Sequence, residues 1–162
     1  MKIVTLRFGE LEIPEDKIIE IPRGLLGFEQ FKKYVILQRE DSEPFKWLQS
    51  LEDPNLAFVI TNPVFFFPKY KLEMHVKELE EIMVSEDSII DTYVIVTIPK
   101  DITQMSANLQ GPILINVESG LGKQIVLVNG PYTIKHNIMD ELEKRTDSRE
   151  KKSVSESLAV NI

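Results

Sequence analysis

The feature that most constrains the fold is the stretch from Tyr93 to Val117, YVIVTIPKDITQMSANLQGPILINV. It holds two runs of β-branched and aliphatic residues, Tyr93 to Ile98 and Ile113 to Val117, the first closed by Pro99 and the second opened by Pro112. Proline cannot donate to a strand ladder, so both runs read as strands with defined ends. Between them, Asp101, Ser106, Asn108 and Gly111 form a polar segment whose side chains can bond their own backbone, which favours turns over a long helix. Val94, Ile95 and Val96 are consecutive, with no polar residue to face water. The first strand is therefore expected to be covered on both faces and central to the sheet.

A chain of 162 residues with 43% hydrophobic content can bury one ordinary core, and one domain is expected. Its nine prolines and seven glycines punctuate apolar runs, which suits many short strands joined by turns. No apolar run approaches the roughly 18 to 20 residues of a membrane helix, and Met1 to Arg7 lacks the pattern of a signal peptide. A soluble cytoplasmic protein with no membrane partner is expected. The absence of cysteine removes disulfides, thiolate nucleophiles and cysteine-ligated zinc.

The net charge of −7 is unevenly placed: Glu73 to Asp91 carries seven acids and one base. Direct nucleic-acid binding needs clustered Lys and Arg to displace counterions, and no such cluster is visible. The acids read either as a solvated helix face or as an attraction for a basic partner.

Along the chain, Ile3 to Phe8 and Leu11 to Ile13 flank Gly9-Glu10 and predict an opening hairpin. Gly24 and Gly27 suggest positive-φ or close-approach positions that aim Leu25, Leu26 and Phe28 inward. Tyr34 to Gln38 and Leu56 to Thr61 read as strands. PFKWLQSL alternates, which predicts a strand with Phe45 and Trp47 inward. In an extended chain Phe65 and Phe67 would share a face opposite Phe66, the triplet being either core or contact surface. Tyr70, Leu72, Met74 and Val76 alternate with polar residues, as in a strand with one wet face. Leu79, Ile82 and Met83 then have the spacing of a short amphipathic helix. Gln124 to Val128 and Tyr132 to Ile134 are the last predicted strands, and residues 137–162 form a charged extension, a short helix or disordered. The sum, about nine or ten short strands and few long loops, predicts a mainly β, single-domain antiparallel barrel or sandwich over residues 1–136, with one or two short helices.

Catalytic equipment is hard to find. His75 and His136 read as surface residues; the one arguable metal pair, His75 with Glu78, spans a change of secondary structure and lacks the three or four convergent ligands a metal needs. No serine sits in a sharp turn between glycines, and no glycine-rich loop leads into a helix to cradle phosphate. No catalytic, metal or cofactor residue is assigned, and no enzyme is expected.

RFGELEIP (Arg7 to Pro14), PRGLLGFEQF (Pro22 to Phe31), PFKWLQS (Pro44 to Ser50), NPVFFFPKY (Asn62 to Tyr70), VTIPKD followed by SANLQGPILIN, and QIVL (Gln124 to Leu127) together resemble the flagellar assembly factor FliW family. The resemblance spans roughly Met1 to His136 and implies a cytoplasmic β-barrel-like protein that binds others rather than catalyses. It implies two partners: flagellin before export and, when flagellin is depleted, the carbon storage regulator CsrA, a basic RNA-binding dimer. Binding would antagonise that repressor allosterically and let flagellin mRNA be translated. On this reading Glu78, Glu80 and Glu81 are expected to steer the basic partner, with Phe66 and Tyr70 as apolar anchors. The alternatives are a small barrel that stacks single-stranded nucleic acid on Phe65 to Phe67, and a hydrolase with carboxylates converging in a cleft.

Overall fold

The computed structural model describes residues 1–73, 75–128 and 130–144. The chain opens with a hairpin of β1 (Lys2–Thr5) and β2 (Gly9–Glu12). Next come β3 (Ile19–Glu20), β4 (Lys33–Leu37), β5 (Lys46–Ser50), β6 (Ala57–Thr61) and β7 (Ile90–Thr97), each from β4 onward antiparallel to the one before. β9 (Ile113–Asn116) pairs with both β7 and β10 (Leu121–Gln124), and β10 meets β3 in parallel. That last contact closes a barrel of seven strands. Two short strands, β8 (Ser106–Ala107) and β11 (His136–Asn137), branch from β7.

β7 is the hub expected from its sequence. Residues Ile90 to Tyr93 pair with β9, while Val94 to Thr97 pair with β6 and β8. Directly paired residues share a face, so the register separates the inside of the barrel from the outside. Ile19 with Tyr34, Ile36 with Leu48, Leu48 with Phe58, Ile60 with Ile95 and Tyr93 with Ile113 form one continuous inner face. Outside, the opening hairpin lays Ile3, Leu11 and Ile13 against Val35 and Leu37 of β4. Phe66, Tyr70, Ile82, Leu109, Leu127 and Ile138 cover the outer face of β7 and β9 at Val94, Val96 and Leu114. A strand covered on both faces needs no polar alternation, which is why Val94-Ile95-Val96 reads as it does.

Several elements differ from expectation. The hairpin turn is Leu6 to Phe8, braced by Thr5 Oγ1, which accepts from Phe8 N at 2.8 Å; Gly9, with φ +71°, already begins β2. Gly24 (φ +68°) needs its missing side chain, because a Cβ there would lie 2.6 Å from the Cα of Glu29. Leu25 is buried beside it, but Leu26 points to solvent. The alternation in PFKWLQSL is a strand with the opposite phase: Leu48 faces the interior, and Trp47 lies outside. There its ring meets the edge of Phe8 at 5.5 Å and the Arg7 and Arg39 guanidiniums at 5.7 and 5.5 Å.

Residues 63–65 form a 3-10 turn capped by Asn62, which replaces the extended geometry expected for the phenylalanine triplet. The described residues between Tyr70 and His75 form no strand, and Val76 opens α1 (Val76–Glu80) instead. β10 precedes the strand expected at Gln124 to Val128, and β11 follows the one expected at Tyr132 to Ile134. Residues 138–144 are helical and anchored by buried Ile138; residues 145–162 of the expected extension lie outside the described residues.

Candidate functional site

The acid-rich connection between α1 and β7 is built on two buried polar side chains of the barrel wall. α1 begins at His75, whose Nδ1 accepts from Lys77 N at 3.2 Å and so caps an orphan amide. After α1 the chain turns back onto the barrel through Ile82, which is fully buried. Asn116, at the end of β9, donates from Nδ2 to the carbonyls of Ile82 and Met83 at 2.8 and 3.2 Å. Its Oδ1 accepts from the amides of Glu118 and Ser119, and Ser119 Oγ donates to the Ile82 carbonyl at 3.1 Å. Met83 is thereby held at φ +60°, a left-handed conformation that is costly for a side chain bearing Cβ, with the side chain 69% exposed. Ile89 and Val117, also exposed, continue the β7–β9 pairing past its last register pair, Val117 N donating to Ile89 O at 3.1 Å.

Lys123 is the second buried support. Only 7% exposed on the outer barrel face, its ammonium pairs with Glu78 and, at 2.6 Å, with Glu81. Arg23 binds the same Glu81 from the other side. Burial alone pushes the Lys123 ammonium toward deprotonation, but the hydrogen bonds it donates to the two carboxylates, with their negative charge, outweigh it and hold its pKa above the ordinary value. Glu81 is held below the usual carboxylate range, first by the Lys123 hydrogen bond and then by the neighbouring positive charges.

The expected site residues therefore separate. Phe66 is fully buried and Tyr70 is 9% exposed, its hydroxyl donating to Leu109 O at 2.6 Å. Both pack in the core and present little surface of their own. Glu78 and Glu81 are matched by Lys123 and Arg23, which leaves them little charge to steer with. Glu80 is exposed, as are Glu86 and Asp87 before β7 and Glu118 beside Val117. Asp91 pairs with Ile115 on the inner face and is only half-exposed. What remains exposed in the two segments that Asn116 ties together is Glu80, Glu86, Asp87 and Glu118, with Met83, Ile89 and Val117. Met83 and Asn116 carry no local sequence signal of their role.

The arrangement suits other chemistries poorly. Phe67 packs edge-on against Tyr70, Tyr132 and His136, so Phe65 to Phe67 form no row for stacking bases. The rings of Phe8 and Trp47 already carry the Arg39 guanidinium. Carboxyls with shifted pKa values, at Glu29, Glu52, Glu81 and Asp101, are all lowered by hydrogen bonds, the opposite of what a general acid requires. Among the described residues no three His, Asp or Glu side chains converge as a metal site, and no helix is long and apolar enough to cross a membrane.

Comparison with known proteins agrees with this architecture. The family described as FliW protein matches residues 2–138. The flagellar assembly factor FliW of Alkaliphilus metalliredigens (strain QYMF) is 41% identical over 145 residues, covering 89% of this chain and 90% of that protein. The protein of the same name from Leptospira interrogans serogroup Icterohaemorrhagiae serovar Lai (strain 56601) is 41% identical over 141 residues, 86% of this chain and 94% of its own. A crystal structure of the flagellar assembly factor FliW superposes with a TM-score of 0.80 at 39% identity, covering 85% of this chain and 96% of that one. A matching fold, nearly full-length coverage and about 40% identity place the chain in one group: it belongs to the FliW family of flagellar assembly factors.

Proposed function

We propose that this flagellar assembly factor works in the cytoplasm by partner exchange, binding flagellin and, when flagellin is scarce, a CsrA-type basic regulator. Holding that regulator by an allosteric rather than a competitive route would free flagellin mRNA for translation. The observation that carries the reading is the exposure of Met83, Ile89 and Val117 in two segments that also carry exposed Glu80, Glu86, Asp87 and Glu118 and that are joined by the Asn116–Met83 and Val117–Ile89 hydrogen bonds. Apolar side chains provide affinity once desolvated, and surrounding acids speed encounter with a cationic protein. Family membership supplies the flagellar context, and the barrel supplies a rigid platform.

Glu78 and Glu81 are poor choices for testing this, because reversing them would strand the buried Lys123 ammonium. Glu80, Glu86 and Asp87 are free to change. Replacing all three by lysine should slow association with the cognate CsrA-type regulator and flatten its dependence on ionic strength, with dissociation changing less. An unchanged rate and salt slope would remove these acids from the mechanism.

A further inference from the structure

Residues 125–128 run beside 110–112 without belonging to a named strand: Ile125 N donates to Pro112 O and Leu127 N to Gln110 O, both at 2.8 Å. Successive amides of an extended chain point to opposite sides, so those of Val126 and Val128 face away from 110–112. They face a cleft of about 510 Å³ whose other wall carries Lys69, Lys71, Glu73 and His75. Val126 and Val128 are 48% and 78% exposed. This wall is fixed: Tyr132 Oη accepts from Lys71 N at 2.8 Å, and its ring lies 4.6 Å from that of Tyr70. Exposed Lys69 and Lys71 line the cleft with Glu73 and Glu78, and Glu78 is already neutralised by Lys123.

We propose that residues 125–128 are a docking edge for an extended, acidic segment of a partner protein, which adds a strand at Val126 and Val128 and places its carboxylates against Lys69 and Lys71. An edge with outward amides, a fixed opposite wall and two ammonium groups against the one carboxylate of Glu73 suits main-chain recognition, in which backbone bonds give affinity and alternate side chains give selectivity. The site is separate from the Met83 surface and takes a partner of opposite charge.

The test uses the full chain, labelled with ¹⁵N, and capped octapeptides of repeating Val-Asp, Val-Lys and Pro-Asp. The Val-Asp peptide should slow exchange of the Val126 and Val128 amides by about tenfold or more, while Ile125 and Leu127 are slow already in the free protein. Val-Lys and Pro-Asp should bind about tenfold more weakly or not at all. Val128→Pro removes an outward donor and should weaken Val-Asp binding, with slow exchange at Ile125 and Leu127 reporting an intact fold. If that variant does not fold, Lys69→Glu with Lys71→Glu decides, and it should abolish the preference for Val-Asp over Val-Lys. The proposal is overturned by equal binding of Val-Asp and Val-Lys, by protection elsewhere, or by Val126 and Val128 amides that are already slow in the free chain.

Discussion

Replacing Asn116 by alanine tests how the acid-bordered turn is held to the barrel. The side chain is almost fully buried and makes four hydrogen bonds, two donated to Ile82 and Met83 and two accepted from Glu118 and Ser119. A neutral hydrogen bond contributes about 1 kcal/mol net, and a buried group left without a partner costs about 1–3 kcal/mol. Two of the four are long, at 3.2 and 3.4 Å, and Ile82 O keeps Ser119 Oγ, so the expected loss is about 2–3 kcal/mol rather than the full sum. Asn116→Asp keeps the acceptors but turns a carboxylate oxygen toward two carbonyls. Its folded-state pKa is thereby raised, so the folded state binds the proton more tightly. Stability of the aspartate variant relative to the alanine variant should then increase as pH falls from 7 to 5. Urea unfolding of both variants at the two pH values measures this, and their difference cancels effects common to the rest of the chain. An alanine variant within about 0.5 kcal/mol of the unmodified chain, or an aspartate variant whose gap to alanine ignores pH, would refute the anchoring role.

Tyr34 and Tyr70 should behave differently as phenylalanine. Tyr70→Phe loses the bond to Leu109 O and should cost about 1 kcal/mol, whereas the Tyr34 hydroxyl is buried with no protein partner among the described residues, so Tyr34→Phe should be neutral or stabilising in the same unfolding assay. Met83→Gly should raise stability by about 0.5–1 kcal/mol by relieving the left-handed backbone, yet weaken binding of the basic regulator in calorimetry. Glu81, held low by Lys123, contributes stability that is present above the ordinary carboxylate range and lost as pH falls through its depressed pKa. The raised Lys123 pKa gives stability that is present below the ordinary lysine value and lost as pH rises through the folded one. Lys123→Met should therefore flatten the acid and alkaline limbs of a melting-temperature profile against pH.

Features set by local pattern were legible in the sequence. The unbroken run at Val94 to Val96 announced a strand covered on both faces because no residue in it could tolerate water. Alternation in PFKWLQSL announced a strand but not its phase: the outer face of β5 is also covered, and the Trp47 ring packs there against arginines and Phe8. Tyr70 to Val76 copied a strand's alternation without a neighbour to pair with, since Tyr70 turns inward to Leu109 and α1 starts at Val76. The acids were readable as a group, but their pairing was not. Lys123 and Arg23 reach Glu78 and Glu81 only because barrel closure brings β10 and the Arg23 turn beside α1. Burial of Phe66 beneath its own 3-10 turn is likewise a tertiary fact: within the apolar triplet Phe66 is core while Phe65 stays exposed, which the sequence alone does not distinguish.

The most direct measurement is amide exchange along the full chain with and without a saturating CsrA-type regulator. Protection should concentrate between residues 80 and 91 and at Val117 to Ser119, leaving the opening hairpin and the Trp47 face unchanged. Protection confined to those other faces, with the Met83 turn exchanging as fast as before, would contradict the Met83 turn and the end of β9 as the place where the basic partner lands.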